Sequence, residues 1–434
     1  MNITIASQGR RVLALDFARG VAILLAIGWH FHVETGYGVL DALQAPGATV
    51  GWAGVDLFFV LSGFLIGGLI FSEVKRTGRL DVRRFLIRRA FKIWPVLYCY
   101  ILLLAVTGRY EPLQIVPQTL LHIQNFWQTP LSHLWSLAVE EHFYLAFALL
   151  ILLFSLSGVS LNRLPALLVG VMVLALALRL IAAASGTHAQ TLQVQTQFRA
   201  DALACGVLLA YVKCFRPDIF AAMLQRKAVW LLAFTAGTAF LLLAPALVAT
   251  VGYSVAFLTA AALLLLLLEC GAWLEKNAVC RLVAWIGVYS YAMYVFQFVL
   301  YRASEKAWVV AGFGGVPPVV ELVMKYVGAV VAAVLVTKAV ERPSLALRNR
   351  LFPSRHASGG ELVVRGSHAQ DLERMPAHHA GRHPIYADRA AAAVGTAGAA
   401  VLAVDVGPAG GGRPDGAVDA GAQSTGQLQH SPRT

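Results

Sequence analysis

Gly51-Trp-Ala-Gly-Val-Asp-Leu-Phe-Phe-Val-Leu-Ser-Gly-Phe-Leu-Ile-Gly67 lies within an apolar run, 50–72, in which Asp56 is the single charged residue. About 20 such residues are what a helix needs to cross a bilayer. Further runs lie near 12–32, 93–107, 133–157, 164–184, 197–215, 228–246, 248–268, 283–301 and 318–340. The chain is therefore expected to be all-α, a polytopic membrane bundle of about ten transmembrane helices. The third run is short for a full crossing, and charged residues interrupt several others. Composition agrees: 58% of the 434 residues are hydrophobic and 13% charged, against roughly 45 to 50% and about 25% in soluble domains.

The formal net charge of +12 would suggest a nucleic-acid partner in a soluble protein. Here the basic residues sit in short loops between apolar runs, without finger spacing or an RNA-binding aromatic signature, so no nucleic acid is expected. The five cysteines form no C-x-x-C pair and read as free thiols. No metal site is expected either. The tandem His378-His379 falls in low-complexity sequence, where scattered histidines are the ordinary finding.

Charge asymmetry sets the orientation. With the N-terminus in the cytosol, the cytosolic segments hold twenty-one Lys and Arg, eight of them between Lys75 and Lys92, while the outer loops hold Arg109, Arg302 and Lys306. That is the positive-inside pattern, and it puts both termini in the cytosol. Asp16 and Arg19 interrupt the first run and no small-residue cleavage site follows His32, so a retained helix is expected rather than a signal peptide. Residues 351–434 turn to Gly, Ala, Pro and His without sustained apolar periodicity. A disordered cytosolic tail is expected there, since nothing would offset the entropy of ordering it.

Ionisable residues within spans are costly, by roughly 2.5 to 3.5 kcal/mol at a helix centre, and mark candidate sites. Asp16 and Arg19, three apart, are placed to pair. His30 lies eleven residues beyond Arg19, within about 20° of the same face and about 16 Å along the axis. Asp16, Arg19 and His30 thus form one polar stripe. Arg84, Arg88 and Lys92 step by four along a helix entering the third span, with Arg89 beside them. Lipid headgroups and topology explain such a ridge, and so does a phosphorylated cytosolic ligand; the residues leave both open. In the fourth span Ser136, Glu140 and Tyr144 share a face, while Glu141 and His142 point elsewhere. A polar network between helices is the first expectation for Glu140, with catalysis the second. Gly63 and Gly67 make a small-x-x-x-small pair for close helix packing.

Five motifs in order give the chain a resemblance to membrane acyltransferase family 3, the polytopic bacterial O-acyltransferases. They are Leu15-Asp16-Phe17-Ala18-Arg19-Gly20 with His30; Gly54 to Ile66; Arg88-Arg89 to Pro95; Trp135-Ser136-Leu137 through Glu140-Glu141 to Tyr144; and Phe198-Arg199-Ala200-Asp201-Ala202-Leu203. The resemblance implies an acyltransferase domain within 1–350, in the bacterial cytoplasmic membrane. It implies an acyl-CoA donor, most simply acetyl-CoA, no permanently bound cofactor, and a carbohydrate or glycolipid acceptor. It assigns Arg19 and His30 to acyl-CoA handling and acyl transfer, and Glu140, from its place on the Ser136 face, is kept as a further catalytic candidate. The donor phosphates would fall to Arg84, Arg88, Arg89 and Lys92. Three departures stand out, the first being His142 where Gln is usual after the paired Glu. The family's Arg-x-x-Arg is Arg89-Ala-Phe-Lys92 here, which keeps the charge but loses the second planar fork. Gln297 stands where a His often follows Ser-Tyr-x-x-Tyr. The alternative is a secondary transporter or exporter of a lipid-linked glycan, whose pathway buried charges would line. Repeated halves with paired broken helices would mark it, and no second-half counterpart of Gly51 to Gly67 is evident.

Reporter fusions test the orientation. Those after Gly186 and Gly312 should read as outside and those after Arg163 and Arg350 as inside; a cytosolic signal at Gly186 would refute it.

Overall fold

The computed structural model describes residues 13–353, except Gln128, so the expected tail lies almost wholly outside the described residues. Helix α1 is Leu13–His30, α2 Gly38–Val50, α3 Ala53–Thr77, α4 Val82–Val106, α5 Pro112–Leu120 and α6 Trp135–Leu156. Next come α7 Leu164–Ala184, α8 Ala189–Val194, α9 Thr196–Phe215, α10 Pro217–Gln225, α11 Lys227–Leu243 and α12 Tyr253–Glu269. The last six are α13 Gly271–Lys276, α14 Ala278–Val288, α15 Ser290–Phe296, α16 Val299–Val310, α17 Pro318–Val336 and α18 Arg342–Leu351. No strand occurs among the described residues.

Each of the ten predicted runs falls on one of these helices or on a bent pair. Seven segments are long and apolar enough to cross a membrane, or nine if the pairs α10–α11 and α14–α15 each count as one span. The run outside that count is α9, which carries Arg199, Asp201 and Lys213 yet is buried along most of its length. Leu232 on α11 and Val173 on α7 stand exposed among other apolar side chains, a surface suited to lipid. The chain is a multi-pass helical membrane protein.

Two local features depart from the predicted boundaries. Helix α4 begins well before residue 93, because the Asp81 side chain accepts a hydrogen bond from the Arg84 amide and caps it. The basic stretch is thereby the first half of the span, and the short third run becomes a full-length helix. The run at 283–301 is broken twice: α14 and α15 meet at a 62° bend, and α15 ends at Phe296. The segment Ala292–Gln297 is fully buried, so this irregular backbone is covered by protein rather than lipid.

The central helices touch backbone to backbone. A Cβ on Gly63 of α3 would stand 2.1 Å from the Leu203 carbonyl oxygen of α9, and one on Gly206 of α9 would stand 2.1 Å from the Val60 carbonyl oxygen. Similarly, a Cβ on Gly287 of α14 would meet the Asp16 carbonyl oxygen of α1 at 1.8 Å. Without a hydrophobic drive between helices in lipid, such close packing is what holds them together. It explains Gly63 and Gly67 as packing residues.

Alanine at Gly63 should therefore destabilise the protein by about 1 to 3 kcal/mol through overpacking. At Gly68, which has no atom within 4 Å of such a Cβ, alanine should be neutral or slightly stabilising, since it improves helix propensity. Thermal unfolding of the two detergent-solubilised variants checks this, and equal effects would contradict it.

Candidate active site

Helices α1, α3, α4 and α6, joined by α9 at the larger and by α14 and α15 at the smaller, line two adjoining cavities of about 670 and 530 Å³ at the end of the bundle where the basic loop lies. Both have Arg19, Ser62, Arg89 and Tyr144 in their walls. Lys75 and Lys213 line the larger, and Lys92, Ser136, Glu140 and Tyr294 the smaller. The expected Asp16–Arg19 pair forms at 2.9 Å. Glu140 accepts from the Ser62 hydroxyl at 3.0 Å and from the Tyr144 hydroxyl at 2.6 Å, so both its oxygens are occupied by donors of α3 and α6. Arg89 has no ion pair among the described residues; its guanidinium sits 5.8 Å from the Tyr144 ring centre and 5.9 Å from that of Phe85. It is a cation with its hydrogen bonds still to make.

The other basic candidates are differently placed. Lys92 pairs with Glu341, the first residue of the Glu341-Arg342-Pro343 sequence, so its charge is compensated within the fold. Arg88 donates to the Phe352 carbonyl, and the Ser344 hydroxyl donates to the Phe91 carbonyl at 2.7 Å; these contacts dock α18 on α4. Arg84 and Arg88 lie outside the walls of both cavities. Lys75 and Lys213, which the spacing argument did not single out, reach the larger cavity because α3 and α9 run side by side.

His30 occupies a separate cavity of about 450 Å³ at the far end of α1, together with His133, Tyr100 and Phe298. Arg19 and His30 thus share a helix face, as expected, but open into different spaces. The wall between them is built from α15 and the start of α6. Ser136 and Tyr294 share a hydrogen bond of 2.9 Å, and the Tyr294 hydroxyl reaches the His133 carbonyl. Gln297, fully buried, completes the wall. Its Nε2 donates to the Tyr294 carbonyl at 3.1 Å, which can only accept. Its Oε1 therefore faces His30 Nδ1, 3.1 Å away. Neutral His30 then carries its proton on Nδ1 and keeps Nε2 as the basic nitrogen.

Glu141 and His142 leave these cavities, as the helical spacing predicts. His142 bonds the Thr196 hydroxyl at 2.8 Å, and that hydroxyl also receives the Asn125 amide at 2.8 Å. The Arg199 motif forms a buried frame instead of a wall. Arg199 pairs with Asp56 at 2.8 Å and Arg179 with Asp201 at 2.7 Å, and Arg199 lies 3.9 Å above the Tyr253 ring centre. Among the described residues no group of three His, Cys, Asp or Glu is arranged to hold a metal.

A family profile described as an acyltransferase domain matches residues 12–338, which takes in α1, the three cavities and the Arg199 frame. The chain belongs to acyltransferase family 3. O-acetyltransferase OatA of Staphylococcus aureus, from strain NCTC 8325 / PS 47 and from strain COL, is 33% identical over 162 residues, 33% of this chain and 25% of the relative. A further protein of S. aureus strain COL, provisionally named an O-acetyltransferase, is 29% identical over 227 residues, covering 47% of this chain and 35% of its own. The chain thus spans about a third or less of the length of these curated relatives. No solved structure matches.

Three of the contacts that build this bundle were not legible beforehand: the Gln297 to His30 bond, the Lys92 to Glu341 pair and the Asp56 to Arg199 pair. The last has a measurable signature. Arg199→Ala should cost about 3 to 5 kcal/mol by stranding Asp56 in the interior, whereas the double variant Asp56→Ala/Arg199→Ala should cost less than the two single changes summed. Additive losses in folded yield and melting temperature would contradict a coupled pair.

Proposed function

We propose that the protein is a membrane O-acyltransferase that moves an acyl group, most simply acetyl, from acyl-CoA to a hydroxyl of a glycan or glycolipid. The observation that carries the reading is that one helix, α1, presents Arg19 to a basic-ended pair of cavities and His30 to a third cavity at its other end. In this reading the CoA phosphates bind Arg89, whose guanidinium is free to make charge-assisted bonds, with Lys75 and Lys213 nearer the mouth. Arg19, held by Asp16, steadies the donor farther in. His30 Nε2 takes the proton of the acceptor hydroxyl as its oxygen attacks the thioester carbonyl; the carbon–sulfur bond breaks and CoA leaves as the thiolate, which is then protonated. A neutral imidazole near physiological pH suits that task.

Donor and acceptor enter from opposite ends, so the Ser136–Tyr294 contact has to open for the thioester to reach His30. Glu140 acts through this wall: with Ser62 and Tyr144 on its two oxygens, it positions α6 and hence Ser136. We assign the transferase unit to residues 1–350, in the bacterial cytoplasmic membrane with both termini in the cytosol. The segment 351–434 is read as dispensable to transfer.

Transfer of labelled acetyl from acetyl-CoA by membranes containing the protein tests this. Incorporation into glycan or lipid supports it, and glycan movement without incorporation would favour an exporter. His30→Ala should lower turnover by roughly 10² to 10⁴, the range of general-base catalysis, while leaving insertion and CoA binding intact. Arg89→Ala should raise the apparent KM for acetyl-CoA more than it lowers kcat, because its contact exists before and during transfer. Near-normal turnover of the His30 variant at saturating acetyl-CoA would refute the base.

A further inference from the structure

The basic residues of the outer loops are three, and all three line one cavity. Arg109 follows α4, and Arg302 and Lys306 lie on α16 at a spacing of four, hence on one face. Together they form part of the wall of the 450 Å³ space that holds His30. No Asp or Glu lines it, and among the described residues none of the three cations has an ion pair. Two of them are held in place by rings: Arg302 lies 5.4 Å from the Phe298 centroid and Arg109 5.7 Å from that of Tyr110. Phe298 is also 5.9 Å from the His30 ring, so one aromatic ring separates the Arg302 guanidinium from the proposed base. Positive-inside topology gives no reason for these charges, since it selects against basic residues on that side. A second cleft of about 880 Å³ shares Pro130 and Ser132 with this cavity. Its walls include Gln114, Gln124, Asn125, Gln195, Trp127 and Trp135, and no Asp, Glu, Lys or Arg.

We propose that the His30 cavity binds an acceptor that carries its own anionic group, a phosphate- or carboxylate-bearing sugar, whose uncharged neighbouring units lie along the amide- and tryptophan-lined cleft. The proposal rests on the reading of His30 as the acceptor-side base and names the acceptor class for it. Arg109, Arg302 and Lys306 hold the anion by charge-assisted hydrogen bonds and so fix which hydroxyl meets His30. Amide side chains exchange hydrogen bonds with sugar hydroxyls, and indole faces cover their apolar edges.

The test uses the full chain in phosphatidylcholine nanodiscs without acetyl-CoA. Titration calorimetry compares two tetrasaccharides of equal length: hyaluronan tetrasaccharide, which carries carboxylates, and chitotetraose, which carries none. The charged sugar should bind at least about tenfold more tightly, in line with the gain from bonds to a charged group. Arg302→Ala/Lys306→Ala should bring that preference below about twofold, while Arg163→Ala, a change of charge remote from the cavity, should preserve it. Should the alanine pair fail to fold, Arg302→Gln/Lys306→Gln, which keeps the side-chain bulk, replaces it. Equal affinities, absence of binding by the charged sugar, or a preference that survives the cavity variant would each overturn the proposal. So would loss of the preference on moving to phosphatidylglycerol nanodiscs, because the cations would then be serving lipid headgroups. Since binding is read apart from chemistry, an intact preference without acetyl transfer would count against the transferase reading alone. Transfer without a preference would count against the anionic acceptor alone.

Discussion

Four charges, those of Asp56, Arg179, Arg199 and Asp201, are buried between 0 and 2% exposure where α3, α7 and α9 meet. In such a setting each charge needs a partner with good geometry, and removing one partner of a buried pair costs about 3 to 5 kcal/mol. The two pairs therefore do more than hold neighbours together. Asp56 comes from α3, Arg199 and Asp201 from the first turn and a half of α9, and Arg179 from the last turn and a half of α7. Only one axial register satisfies them all. Arg179 extends the frame to the turn before α12, donating to the Thr250 carbonyl at 3.0 Å, and to α12 itself, donating to the Ser254 hydroxyl at 2.6 Å. Tyr253, between those two residues, supplies the ring under Arg199.

That register is what allows the glycine contacts to form. Gly63 faces Leu203 and Gly206 faces Val60 only if α3 and α9 keep the alignment that the Asp56–Arg199 pair imposes one or two turns away. The close approach then carries Lys75 and Lys213, at the opposite ends of the same two helices, to one cavity wall. A buried ion pair near one end of the bundle thus helps to place the cavity-lining cations at the other. Gly287 against Asp16 does the equivalent for α1 and α14, and it fixes where the chain bends into α15, the segment that divides the cavities.

How much of this could be read from the sequence follows from the range of each interaction. The spans, the Asp16–Arg19 pair and the shared face of Ser136, Glu140 and Tyr144 depend on spacing within one helix, and all three are present in the structure. The start of α4 was hidden because hydropathy discounts arginine, although Asp81 three residues before Arg84 is an ordinary cap. The 62° bend between α14 and α15 has no proline at Tyr289 to announce it. Contacts between distant segments were not legible: Asp56 and Arg199 are 143 residues apart, Lys92 and Glu341 are 249 apart and His30 and Gln297 are 267 apart. The basic ridge illustrates the limit. Arg84, Arg88 and Lys92 at helical spacing, with Arg89 beside them, looked equivalent, yet the fold turns Arg89 and Lys92 inward, sends Arg88 to the backbone near α18 and leaves Arg84 outside both cavities.

Gln297 shows how a departure from a motif can carry information about mechanism. A second histidine at that position could donate or accept toward His30, so the tautomer of the pair would not be set. A glutamine whose amide nitrogen is committed to the Tyr294 carbonyl has its oxygen left for His30, and an oxygen can only accept. The choice of residue 297 therefore directs the proton of His30 to Nδ1 and exposes a lone pair on Nε2, without adding a charge to the interior. Gln297 is anchored to the backbone carbonyl of the same Tyr294 whose hydroxyl meets Ser136, so one residue serves both the orientation of His30 and the wall between the cavities. The two contacts use different atoms: the ring can swing away from Ser136 about its Cα–Cβ bond while the carbonyl, fixed in the α15 backbone, keeps Gln297 and hence the His30 tautomer in place.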